Sequence, residues 1–189
     1  TPEPATSLAP IAYYDDFQDP TYDGVFNSDL WGISSGSAKA IQKDGTLVLE
    51  DLAPTTGEGM ILTPILWNSS SFSEIEIKVK ANRFQGTNGN ITIDLFSTAF
   101  PGGWVEFGIL ADGNKVSICA CRNDVSKSAQ IDTWYVLEIT YDQSNNLLTY
   151  FVDCEKFFVY KLPVSTNKIT PKIQMWHPVG EYFSGAVDD

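Results

Sequence analysis

Along most of the chain, apolar and polar side chains alternate with a period of two, the signature of strands with one buried and one wet face. Ser73 to Ala81 carries the pattern most cleanly: Ile75, Ile77 and Val79 fall on one side, and Glu74, Glu76, Lys78 and Lys80 on the other. The same alternation predicts a strand over Asn90–Phe96 with Ile91, Ile93 and Leu95 inward. It predicts another over Trp104–Leu110, with Val105, Phe107 and Ile109 inward and Trp104 and Glu106 opposite, and a third over Lys115–Arg122 that groups Val116, Ile118 and Ala120. Tyr135–Tyr141, Leu147–Val152 and Phe157–Lys161 follow, with a short early strand at Thr46–Glu50 and a late one at Lys172–Trp176. Between the runs, Asp44-Gly45, Thr87-Asn88-Gly89, Pro101-Gly102-Gly103 and Asp112-Gly113-Asn114 supply residues that tolerate positive φ in tight turns, and Ser144-Asn145-Asn146 reads as a hairpin turn. No stretch keeps a helical period of about 3.6 residues over several turns. Short strands and turns at this spacing predict an all-β, antiparallel two-sheet sandwich of jelly-roll type.

The length of 189 residues suits one domain with a real core. Residues 1–10, opening Thr1-Pro2-Glu3-Pro4-Ala5-Thr6-Ser7, read as a Pro/Thr-rich linker, and residues 11–189 as the sandwich domain. A linker-like start and an end at Ala186-Val187-Asp188-Asp189 suggest a piece of a larger protein. Hydrophobic residues make up 43% and charged residues 19%, a globular composition. The formal net charge of −12 argues against nucleic acid, whose binding runs on Lys and Arg, and against anionic membrane surfaces. No apolar run approaches the ~20 residues of a membrane-spanning helix, so membrane insertion by this chain is not expected. The acidity either keeps the protein soluble or serves bound cations. Of the three cysteines, Cys119 and Cys121 share a strand face and cannot easily bond to each other. One bridge from Cys154 to either of them, or three buried thiols, both remain open.

Candidate chemistry is sparse. His177 is the only histidine, which excludes a multi-histidine metal centre, and no Gly-x-Ser-x-Gly elbow is present. No residue is assigned a catalytic role. Aromatics are abundant at 13%, and sugars stack their C–H faces on Trp and Tyr rings while polar side chains read the hydroxyls. The candidate carbohydrate-binding residues are Trp104 and Glu106 on the non-core side of their strand, with Trp176, His177, Glu181 and Tyr182 from the late segment Trp176-His177-Pro178-Val179-Gly180-Glu181-Tyr182. The plainer alternative is that these aromatics finish the core. Asn68-Ser69-Ser70 and Asn90-Ile91-Thr92 are glycosylation sequons, the second overlapping a strand.

Several stretches together resemble the concanavalin A-like lectin/glucanase superfamily, which includes laminin G-like domains, family 16 glycoside hydrolases and 3-keto-disaccharide hydrolase-like domains. They are Tyr14-Asp15-Asp16-Phe17 with Phe26-Asn27-Ser28-Asp29-Leu30-Trp31, the strand Phe72–Lys80, the pair Trp134–Asp142 and Tyr150–Asp153, and the closing Gly185-Ala186-Val187-Asp188-Asp189. The resemblance implies a concanavalin A-like jelly roll in which Trp31 and Trp134 are structural and the late aromatic loop borders the concave face. It also implies one structural calcium ion between the opening and closing strands, where Asp15, Asp16, Asp188 and Asp189 lie, with Asp16 and Asp188 as the assigned ligands. Cys154 stands where relatives have Gly, which implies a looser turn. The acid motif of family 16 hydrolases has its nearest match in Glu74-Ile75-Glu76-Ile77-Lys78, where a Lys replaces the last acid; a solvated strand face explains this run. The resulting expectation is a non-catalytic carbohydrate-binding module of a larger extracellular or cell-surface protein, with a polysaccharide or glycan partner. A structural or protein-interaction ectodomain and a laminarinase-type hydrolase are the alternatives.

Overall fold

The computed structural model describes residues 15–34, 39–50, 60–64, 72–120, 125–166, 168–178 and 180–188. Its strands are β1 (Trp31–Ser34), β2 (Lys39–Lys43), β3 (Thr46–Glu50), β4 (Met60–Pro64), β5 (Glu74–Gln85), β6 (Asn88–Phe96), β7 (Trp104–Asp112), β8 (Lys115–Ala120), β9 (Val125–Ser128), β10 (Tyr135–Asp142), β11 (Leu147–Val152), β12 (Glu155–Lys161), β13 (Thr170–Trp176) and β14 (Tyr182–Asp188). They form two antiparallel sheets. Sheet I has the order β1-β4-β13-β6-β7-β8-β9, and sheet II the order β12-β11-β10-β5-β14-β3-β2. Neighbours distant in sequence, such as β13 beside β6 and β14 between β5 and β3, make this a jelly-roll sandwich rather than a meander.

The alternation read from the sequence sorts the faces. Ile91, Ile93 and Leu95 of β6 and Val105, Phe107 and Ile109 of β7 are buried between the sheets, against Val79, Leu137, Ile139, Leu49 and Val187 of sheet II. Phe107 joins the layers, meeting Tyr150 edge-on at 5.2 Å and stacking on Phe157 at 6.0 Å. Each such side chain contributes roughly 1.5–3 kcal/mol by leaving water. Trp31 is buried as the resemblance implied: it stacks on Phe17 and donates its Nε1–H to Asp15 Oδ2 at 2.7 Å.

Trp134 is 37% exposed beside sheet II, with the Lys80 ammonium 5.0 Å from its ring centre. One expectation changes. The turn at Cys154 is tight rather than loose. Asp153 and Cys154 both take positive φ, 53° and 64°, as a two-residue hairpin turn demands. Asp153 Oδ1 fastens that turn by accepting the Val136 amide at 3.0 Å. Among the described cysteines, Cys119 and Cys154 are free thiols, the first buried and the second exposed. Cys121, Trp67, Asp189, the residue 1–10 linker and the first sequon lie outside the described residues.

Candidate functional site

On the outer side of sheet I, the residues left over by core alternation form cross-strand rows. The central strands set them by register: Thr170, Phe96 and Trp104 in one row; Lys172, Asp94 and Glu106 in the next; then Gln174, Thr92, Gly108 and Cys119; then Trp176, Asn90, Leu110 and Ser117. Trp104 and Trp176 are each 38% exposed and close the two ends of this surface. Trp176 lies six residues beyond Thr170 on β13, so the backbone rows that carry the two tryptophans are about 20 Å apart along the strands.

The floor between them is polar yet shielded. Thr92 and Asp94 are each 1% exposed although they belong to an outer face. Thr92 Oγ1 donates to Asp94 Oδ1 at 2.8 Å. Burial pushes the Asp94 carboxyl up to about 7; the Thr92 hydrogen bond and Lys172 oppose this, and the Glu106 charge adds to it. Lys172 holds its ammonium 4.3 Å from the Phe96 ring centre, and Phe96 stacks on Trp104 at 6.3 Å. Asn90 Oδ1 is buried with no hydrogen-bond partner in the structure. Gly108 keeps the floor flat of necessity, because a Cβ there would run into the Ile91 carbonyl and the Thr92 Cα. Burial pushes the Cys119 thiol up, and its sulfur lies 3.3 Å from Ser117 Oγ, so it is a poor nucleophile.

Of the six residues singled out in the sequence, three lie on this face: Trp104, Glu106 and Trp176. His177 does not; it is wholly buried just past β13, with Nδ1 2.8 Å from the Pro178 carbonyl oxygen. Glu181 is spent on structure. Its Oε2 accepts the Thr87 and Asn88 amides at 2.7 and 2.9 Å and its Oε1 accepts the Thr87 hydroxyl; the Asn88 amide first and then the Thr87 hydroxyl hold its carboxyl below the usual range. Tyr182 belongs to the opposite side of the sandwich. It alternates with buried Phe183, donates to Glu50 Oε1 at 2.9 Å and lies under the Arg83 guanidinium. Missing from the earlier reading are Asn90, Thr92, Asp94, Phe96, Lys172 and Gln174. Their signal was present, since each is the polar or aromatic alternate of an inward apolar residue on β6 or β13.

Glu74 and Glu76 stand exposed on the outer face of sheet II, where Glu76 is opposite Glu138. Asp16 Oδ1 accepts the Gln18 amide at 3.0 Å, and Asp188 Oδ2 lies 3.5 Å from Lys78 Nζ while its Oδ1 is buried without a hydrogen-bond partner. Among the described residues no three His, Cys, Asp or Glu side chains gather as a metal-holding group. Of the acids the resemblance assigned to calcium, Asp189 lies outside the described residues, and the Asp188 carboxylate is paired with the Lys78 ammonium.

No family model and no curated protein match the chain. Solved structures do. The Bacillus licheniformis beta-glucanase matches over 93% of this chain and 96% of its own, at 12% identity and a TM-score of 0.61. The carbohydrate recognition domain of Emp46p, in a potassium-bound form, matches over 90% of this chain and 95% of its own, at 17% identity and a TM-score of 0.54. A sialidase matches over 86% of this chain at 9% identity and a TM-score of 0.63, but the chain spans only 16% of that protein's length. A two-sheet jelly roll shared with a glucanase and a carbohydrate recognition domain is a concanavalin A-like sandwich, and that is the fold of this chain.

Proposed function

We propose that the chain is a carbohydrate-binding module whose site is the outer face of sheet I. One observation carries the reading: two tryptophans stay more than one-third exposed at opposite ends of a single face, with polar side chains in rows between them. Rings so placed stack on the C–H faces of an extended glycan, while Asn90, Gln174, Glu106 and Lys172 stand where its hydroxyls would lie. The solved structures with this fold include a carbohydrate recognition domain and a beta-glucanase, which supports a glycan partner in general. Display outside the cell belongs to the same proposal.

A glycan array is the test. Binding is expected, and Trp104→Ala or Trp176→Ala should each weaken it by about tenfold. A blank array, or hits indifferent to both substitutions, would overturn the site. A second reading, a hydrolase, is favoured by one observation: Asp94 and Glu106 place two carboxyl groups directly opposite each other on neighbouring strands. The same array hits distinguish the two readings. A binding module leaves them intact, whereas a hydrolase releases reducing ends and stops doing so in Glu106→Gln.

A further inference from the structure

Three strands of sheet I bring their charged side chains to one point. Asp94 of β6 faces Glu106 of β7 on one side and Lys172 of β13 on the other. The remaining neighbours on this face carry no charge: Thr92 and Phe96 on its own strand, Trp104 and Gly108 on β7, and Thr170 and Gln174 on β13. Among the described residues the next titratable group is the Cys119 thiol, beyond Gly108 on β8. Carboxyl groups on directly opposed residues, with Cβ atoms about 5 Å apart, repel when both are ionised, and a buried one resists ionisation in any case. The one cation of the cluster lies over the Phe96 ring.

Resting on the glycan reading above, we propose that Asp94 is a specificity-determining residue of this face: buried between Glu106 and Lys172, it leaves their charges balanced while it is neutral and gives the row one net negative charge when it ionises, which turns anionic glycans away more than uncharged ones. The protonated acid is also a hydrogen-bond donor beside Glu106, so the pair holds together instead of pushing apart. As pH rises through about 7 the proton leaves and a second negative charge appears opposite Glu106. Binding therefore weakens with rising pH, and glycan binding above that point takes up a proton. Asp94 is almost wholly buried, so it acts through Glu106 and Lys172 as a positioning residue.

The experiment is an array printed with β-glucan, mannan and xylan oligomers as uncharged probes and alginate and pectate oligomers as anionic ones, read from about pH 5.5 to about pH 8.5. The expected result is binding to an uncharged probe that falls by about tenfold across the upper half of the range, with any binding to anionic probes falling more steeply still. Asp94→Asn should flatten the profile whatever its absolute affinity. Histidines ordinarily titrate in the same window, so His177→Gln is the control, and it should keep the slope. Should Asp94→Asn not fold, calorimetry with the strongest uncharged probe in two buffers of different ionisation enthalpy decides: proton uptake on binding supports the proposal and its absence overturns it. A flat wild-type profile, a slope that survives Asp94→Asn or vanishes in His177→Gln, or anionic probes that fall less steeply than uncharged ones overturns this inference and leaves the glycan reading standing. No binding to any probe at any pH overturns the reading itself.

Discussion

At position 154 a side chain sits where the backbone favours none. Cys154 holds φ at 64°, and L-residues pay for that region with contact between Cβ and the following carbonyl. Glycine has no Cβ to strain, although it loses more entropy on folding. Cys154→Gly should therefore raise stability by about 1 kcal/mol, read as a higher urea midpoint at unchanged slope. An unchanged midpoint would mean that the thiol has packing that compensates. Single residues also show where sequence reading stops. Trp104 and Glu106 were placed on the correct face because Val105 and Phe107 beside them had to be inside, and alternation admits no other answer. His177 and Glu181 lie past a strand end, where no period applies. Their orientation is set by partners the local sequence does not contain: the Glu181 carboxylate belongs to a turn 93 and 94 residues away. Asp94 was legible as an outward residue but not as a buried one, because its shielding comes from β7 and β13 rather than from its own strand.

At the scale of the element, the long strands were legible and, apart from β3 at Thr46–Glu50, the short ones were not. β5 was expected over Ser73–Ala81 and runs Glu74–Gln85, because β14 keeps pairing with it past Ala81, through a register shift between Ser184 and Gly185. β1, β2, β4 and β9 have four or five residues each, too few for alternation to stand out, and exist because a neighbour offers an edge. The turn from β5 to β6 is tied by the carboxylate that precedes β14. Glu181 is held below the usual carboxylate range, so its contribution to stability is present above its unfolded value and is lost as pH falls through the folded one. Removing the charge should free the two amides it caps. Glu181→Gln is expected to speed hydrogen exchange at Thr87 and Asn88 while leaving the β6 core amides protected; equal rates in both proteins would show that the turn holds by itself.

For the whole molecule, stability should fall as pH rises from about 4 through about 7, for two separable reasons. Asp94 is raised to about 7 in the fold from an ordinary value of 3.8, so its stabilising share is complete below the ordinary value and is lost as pH rises through about 7. The full loss is up to about 4 kcal/mol, from roughly three pKa units. The formal charge of −12 repels itself in the same direction, but surface repulsion is screened by salt whereas the buried carboxyl is screened far less. Urea midpoints from about pH 5 to about pH 8 should drop in wild type and drop less in Asp94→Asn, and that difference should survive about 0.5 M salt. A difference that salt abolishes would assign the effect to the surface. The sheet order carries one more consequence, for the ribosome. β14 lies in the interior of sheet II, between β5 and β3, yet is made after every other strand described. Until it emerges, the β2–β3 hairpin has no partner across the gap and β5 presents a bare edge, so sheet II cannot close during synthesis of its first six strands. The nascent chain must wait for Tyr182–Asp188, and it is in that interval that a chaperone would find the most to hold.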